Sequence, residues 1–244
     1  MTALTEKQEI RKLCRKNRSA LSADEVRVKS NEICQHLMNY PKVQQAGQVL
    51  VYSAIHKEVD LRKLVEWLWE AGKSVAFPKV LDAGNQHDEA SGESLVNADM
   101  ASFQAEKLPV ADTKSNEFNN LKYLSTKLIK DESADDISYN DMEFYEITCW
   151  NQLESGAFGI LEPQEGLAPI IPQKDAVICV PGVAFSPDGS RIGMGRGYYD
   201  RYLSRYPYIY KIGVAYEVQM EYNWEADDLD VSMDTVVTEL ESRP

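Results

Sequence analysis

Apolar residues follow two different periods along this chain, and the switches between them mark its elements. Over 5–18 the spacing is helical, with Ile10 and Leu13 on one side and Thr5 as the expected N-cap. Ser22-Ala23-Asp24-Glu25 has the form of a capping box, and the helix it opens is predicted to run to about Met38, with Val26, Ile33 and Leu37 as its apolar face. Residues 48–54 change to a β-branched and aromatic run, a predicted buried strand. A polar loop leads to a helix over 61–71, closed by Gly72, and then to a second strand over 73–78. Strand, helix and strand at these lengths predict a parallel βαβ unit. Further strands are expected over 142–148, 175–180, 211–215 and 231–238, with a short helix over 199–205 and a turn at Ser186-Pro187-Asp188-Gly189.

The pattern breaks between 82 and 141. That span holds 13 acidic and 5 basic residues, net −8 of the chain's −13, and shows weak helical spacing only over 118–129. It is expected to be a partly flexible acidic insertion in a single domain of 244 residues. The overall charge argues against a nucleic-acid surface, which needs clustered Lys and Arg. No apolar run approaches the roughly 20 residues that span a bilayer. Cys14, Cys34, Cys149 and Cys179 are scattered without metal-ligand spacing, and His87 stands alone, so no zinc site is expected. Buried, reduced thiols in a cytoplasmic, soluble protein are the expectation.

Candidate chemistry concentrates in Arg191-Ile192-Gly193-Met194-Gly195-Arg196-Gly197-Tyr198-Tyr199-Asp200. Alternating glycines let a backbone approach a ligand closely. Their successive N–H groups form an anion-binding concavity, and a helix starting just after adds its positive end. The spacing differs from both the dinucleotide fingerprint and the Walker loop. The N-terminal helix carries six of the chain's 26 basic residues, with Lys7, Arg11 and Arg15 on one face. A solvated face is the simpler account of that stripe; its density in an acidic protein is the argument for anion binding. Glu58 follows the first strand, in the zone where parallel sheets bind ligands, although a free loop carboxylate is the simpler account.

Taken together, Pro181-Gly182 after a strand, Phe185, the decapeptide, Lys7 and Arg11 at K-x-x-x-R spacing, Glu58, the Phe-Gly-Ile-x-Glu-Pro segment and the late Asp234 resemble the 5-formyltetrahydrofolate cyclo-ligase family. The resemblance covers about 1–81 and 142–240. It implies a Rossmann-like, three-layer α/β/α sandwich around a mainly parallel sheet. It also implies conversion of 5-formyltetrahydrofolate to 5,10-methenyltetrahydrofolate, with ATP as co-substrate and Mg2+ as cofactor. ATP would be bound by Lys7, Arg11 and loop residues Arg191, Gly193, Met194, Gly195, Arg196, Gly197, Tyr198 and Tyr199. Arg196 and Tyr198 would stand at the chemistry, while Arg191 is better suited to anchoring the loop. Tyr52, Ser53, Glu58, Phe158 and residues 194–198 of the loop would bind the folate. Asp200 and Asp234 match the family's metal-linked aspartates; Asp200 also suits a helix N-terminus, and Asp234 a strand edge. Met194 stands where many relatives carry a basic or aromatic residue, so no charge contact is expected from it.

The resemblance implies small-molecule partners, and a monomer is expected. Two rival readings remain open from sequence. One is a folate- or nucleotide-binding protein without turnover, using the acidic insertion as a docking surface. The other is an ATP-dependent ligase or kinase acting on a different amide.

Overall fold

The computed structural model describes residues 3–81, 141–156, 160–220, 224, 227 and 229–243. Contacts divide the chain into one unit of Met1–Leu81 with Asp141–Pro244 and a second of Asp82–Asn140, which lies outside the described residues, as do the expected helix over 118–129 and His87.

Seven strands form the central sheet of the first unit in the order β11-β10-β9-β6-β1-β2-β3. In chain order these are β1 (Gln48–Leu50), β2 (Ser74–Leu81), β3 (Asp141–Glu146), β6 (Val177–Pro181), β9 (Tyr210–Val214), β10 (Thr235–Val237) and β11 (Ser242–Arg243). The five inner strands run parallel and both edge strands antiparallel to their neighbours. Two small ribbons lie outside the sheet: β4 (Leu153–Ser155) with β5 (Leu161–Pro163), and β7 (Ala184–Phe185) with β8 (Arg191–Ile192).

Both faces of the sheet are buried, and the period of two explains how. Val49, Val51, Val177, Cys179, Ile212, Val214 and Val237 face one layer, built by α2 (Ala23–Asn39), α3 (Pro41–Gln45) and α4 (Arg62–Glu70). Leu50, Ile178, Val180 and Val236 face the other, where α5 (Tyr198–Arg205) contributes Tyr202 and Leu203. The result is the expected three-layer α/β/α sandwich. Each fully buried Leu or Ile contributes about 1.5–3 kcal/mol relative to exposure, so Leu37, Leu64 and Leu68, all at 0% exposure, hold the first layer in place.

The capping box is formed as expected: Glu25 N–H donates to Ser22 Oγ at 3.2 Å, and Ser22 N–H to Glu25 Oε2 at 2.8 Å. Other boundaries differ. The first helix, α1 (Ala3–Ala20), is already under way at Thr5, which is therefore not its N-cap. The strand expected over 48–54 stops at Leu50: Val51 N–H still reaches Ala76 O at 2.9 Å, and the Tyr52 hydroxyl then donates to Val59 O, drawing the chain into a loop. The helix α3 and strand β11 were not anticipated; each is too short to show a period. Of the four thiols, Cys149 is exposed, against expectation, and none forms a disulfide.

Candidate active site

The glycine loop lies between β8 and α5, at the carboxyl edge of the sheet. Gly195 has φ of 96° and Gly197 of 67°, the left-handed region where a side chain is strained. Gly197 is also the N-cap of α5 and brings no side-chain cap, which leaves the first-turn N–H groups of that helix open toward the loop.

Beneath the loop, Arg191 acts as a strut. Its guanidinium donates to Asp200 Oδ1 at 2.8 Å and to Pro181 O at 3.3 Å, and stacks on the Tyr199 ring at 5.7 Å. At 6% exposure it has no room for an incoming phosphate without breaking these contacts. Anchoring the loop fits this placement better than a direct contact with ATP. Arg196 stands on the exposed rim, and its carbonyl accepts from Arg201 at 2.9 Å. The Tyr198 ring is covered by the Arg201 guanidinium at 5.3 Å.

α1 lies across the loop and turns its basic stripe toward it. Arg11 Nε donates to Gly193 O at 3.0 Å, and Arg15 Nη2 lies 3.2 Å from Met194 Sδ. Lys7 is buried between Asp227 (2.6 Å) and Asp230 (2.7 Å). Burial works against its charge, yet the two carboxylates prevail and raise its pKa. Arg18 continues the stripe about three turns after Lys7; at 3% exposure it faces Glu58 Oε1 at 3.7 Å and Gly182 O at 3.5 Å. Sequence reasoning missed Arg18, although its position on the Lys7–Arg11 face of the helix was the available signal.

Glu58 is itself buried. Desolvation pushes its pKa up to about 7, while Arg18 and a hydrogen bond from Ile55 N–H (3.2 Å) pull the other way. Tyr52 and Tyr199 lie near enough for the Glu58 charge to raise their pKa values further, on top of burial. The Tyr216 hydroxyl donates to Glu58 O at 3.2 Å, and Ser53 Oγ donates to Leu161 O at 2.6 Å. Lys7, Arg11, the glycine loop, Asp200, Tyr52, Ser53 and Glu58 thus share one edge of the sheet. Phe158 lies outside the described residues.

Asp234, the second aspartate the resemblance links to a metal, takes the strand-edge position that was its alternative. It immediately precedes β10, so it lies at the amino edge of the parallel strands, where it accepts from Lys211 N–H at 2.6 Å and pairs with Lys211 Nζ at 2.9 Å. Among the described residues no three His, Cys, Asp or Glu side chains gather as a metal cluster. Magnesium needs only one or two protein carboxylates when phosphates supply the rest. Asp200 could meet that need, since the hydrogen bonds it accepts from Arg191 and from Val231 N–H at 3.4 Å both fall on Oδ1 and leave Oδ2 available.

A parallel sheet with a glycine loop and a basic helix over its carboxyl edge defines an α/β protein with an anion-binding edge. Comparison with known proteins makes this specific. The model of the 5-formyltetrahydrofolate cyclo-ligase family matches residues 3–129 and 108–239, and the chain belongs to that family. It is 25% identical over 230 residues to the 5-formyltetrahydrofolate cyclo-ligase of Escherichia coli K12, covering 93% of this chain and 96% of that one. The Haemophilus influenzae cyclo-ligase is also 25% identical, with 93% and 94% covered. The NMR structure of Aquifex aeolicus 5,10-methenyltetrahydrofolate synthetase superimposes with a TM-score of 0.64 at 28% identity, covering 97% of this chain and 91% of that one. The Mycoplasma pneumoniae synthetase, at 21% identity and a TM-score of 0.59, shares the fold.

Proposed function

We propose that this enzyme converts 5-formyltetrahydrofolate to 5,10-methenyltetrahydrofolate, with ATP becoming ADP and phosphate. The observation that carries the reading is the placement of Glu58, with Tyr52 and Tyr199, at the same sheet edge as the glycine loop and α1. One half of that edge suits a pterin, an aromatic ring with N–H donors; the other suits a triphosphate.

In the proposed reaction the formyl oxygen attacks the γ-phosphorus as the bond to the ADP oxygen breaks. N10 then adds to the activated carbon, its proton leaves, and phosphate departs with the former formyl oxygen. Phosphorylation is what turns a poor leaving group into a good one. The chain's task is to align two ligands and to neutralise charge. N–H groups of Gly193–Gly197 and of the first turn of α5 are placed to receive phosphate oxygens, and Arg196 is the cation on the rim. Arg11 fixes the loop through Gly193 O, and Lys7 reaches phosphate by exchanging Asp227 and Asp230 for it. Tyr198 flanks the loop beside the reacting groups. Glu58 accepts hydrogen bonds from pterin nitrogens in its ionised form. Magnesium, held through Asp200 and the phosphates, would supply further charge neutralisation.

A cytoplasmic monomer is the form proposed for this enzyme. Incubation with 5-formyltetrahydrofolate and Mg-ATP should give the methenyl product's absorbance together with phosphate release. Binding of both ligands without new absorbance would refute turnover and favour a binding protein.

A further inference from the structure

A cavity of about 290 Å³ opens between the C-terminal half of α1, the glycine loop and the turn after β1, lined by Arg15, Arg18, Ser19, His56 and Met194. No carboxylate lines it, although the chain as a whole carries −13. Its wall is also the one place where the described backbone is strained outside glycine: His56 (φ 47°) and Lys57 (φ 60°) are consecutive residues in the left-handed region. Two such residues in succession cost free energy and persist only when their surroundings impose them. Here the imposed contact is visible. Lys57 Nζ donates to Ser19 O at 2.8 Å and to Leu21 O at 2.5 Å, two carbonyls at the end of α1. That clamp covers the negative end of the helix, which would otherwise repel an anion from the cavity. It also holds His56 on the cavity wall that Arg15 and Arg18 share.

The cavity is continuous in chemistry with the folate half of the site, because Arg18 lines it and at the same time faces Glu58 at 3.7 Å. We propose that it is a carboxylate subsite, in which Arg15 and His56 hold the glutamyl carboxylates of the folate while the pterin lies toward Glu58. This rests on the folate reading above. Folate ends in a glutamyl group with two carboxylates, and a guanidinium paired with an imidazole in a carboxylate-free pocket complements them. Arg18, committed to Glu58, adds field without needing to leave its partner. Among the described residues Arg15 meets the Met194 thioether, a weak acceptor, and releases it at little cost.

The test compares kcat/KM for 5-formyltetrahydrofolate with that for 5-formyltetrahydropteroate, which lacks the glutamyl group. The wild type should prefer the former by about tenfold or more, as one or two charge-assisted contacts give. In Arg15→Ala/His56→Ala that preference should collapse toward one, and Arg15→Lys should retain part of it. Both side chains are exposed, so the fold should survive the changes. A wild-type preference near one would overturn the subsite. So would a double variant that loses activity equally on both substrates, or one whose ATP KM alone rises. If the wild type forms no methenyl product from either compound, the folate reading itself is wrong and the subsite falls with it.

Discussion

At the amino edge of the parallel strands a cavity of about 270 Å³ is lined by Lys42, Lys174, Lys211, Asp175 and Asp234 among others; at the carboxyl edge one of about 290 Å³ is lined by Arg15, Arg18 and His56. Volume and residue types barely separate the two. Their treatment of charge does. At the amino edge most charges face water: Lys42, Lys174, Asp175 and Asp234 are exposed, and Asp234 pairs with a half-buried Lys211. At the carboxyl edge Lys7, Arg18, Glu58 and Arg191 are all less than a tenth exposed. Removing an ion from water costs several kcal/mol before any partner is counted. A chain that buries three cations and a carboxyl group at one edge and leaves the other edge wet has concentrated that cost around the glycine loop.

The comparison breaks most visibly at Arg191. Arg191→Met would leave the Arg191–Asp200 pair without its buried cation, a loss of about 3 kcal/mol or more, which for a chain of this size lowers Tm by roughly 6–12 °C. Turnover should be lost with it. A melting point within about 2 °C of wild type would show that the pair is not a strut. Next in size, Glu58→Ala should raise the folate KM about 10- to 100-fold, as loss of hydrogen bonds to a charged acceptor does, and leave the ATP KM nearly unchanged. Equal rises in both would remove Glu58 from the pterin side.

Glu58 also makes stability depend on pH. Its folded pKa, about 7, lies above the ordinary value of 4.5, so the folded state holds this proton more tightly than the unfolded chain. The associated stability is present in full below pH 4.5 and is lost as pH rises to about 7, amounting to roughly 3 kcal/mol at most. Thermal melts of Glu58→Gln across that window should therefore fall less steeply than those of the wild type. A parallel pair of curves would contradict the buried, raised carboxyl. The smallest effect belongs to the other edge. Asp234→Asn removes an exposed pair worth about 0–1 kcal/mol and should leave the magnesium dependence of turnover intact, whereas Asp200→Asn should weaken it. Magnesium dependence altered by Asp234→Asn would reunite the two edges.

Much of this was legible in sequence because it is local. The capping box at Ser22, the βαβ unit and the glycine decapeptide each sit within a short window whose pattern has one physical explanation. Asp234 shows the limit. A carboxylate beside a strand looks the same at either end of a parallel sheet, and only the ladder with β9 tells which end it occupies. Lys7 fails differently: its spacing marks the correct helix face, but Asp227 and Asp230 lie 220 and 223 residues away in sequence. Arg18 and Glu58 pair between α1 and the loop after β1, a contact no periodicity encodes. The strain at His56 and Lys57 was invisible for a related reason, since neither residue type signals a left-handed turn as glycine does.

The register of β2 with β3 has a consequence for how this chain tolerates change. Leu81 and Asp141 are ladder partners on the last rung, so the chain leaves the sheet and returns to it at one point. Whatever sequence lies between can lengthen, shorten or be exchanged for a foreign module without moving any strand by a residue, because the hairpin is fixed by six cross-strand pairs on the core side. The same rung is also tied to the site: Asp141 faces Arg201 Nε at 3.7 Å, and Arg201 donates to Arg196 O at 2.9 Å, so a protein engineer grafting a reporter there must leave Asp141 itself undisturbed.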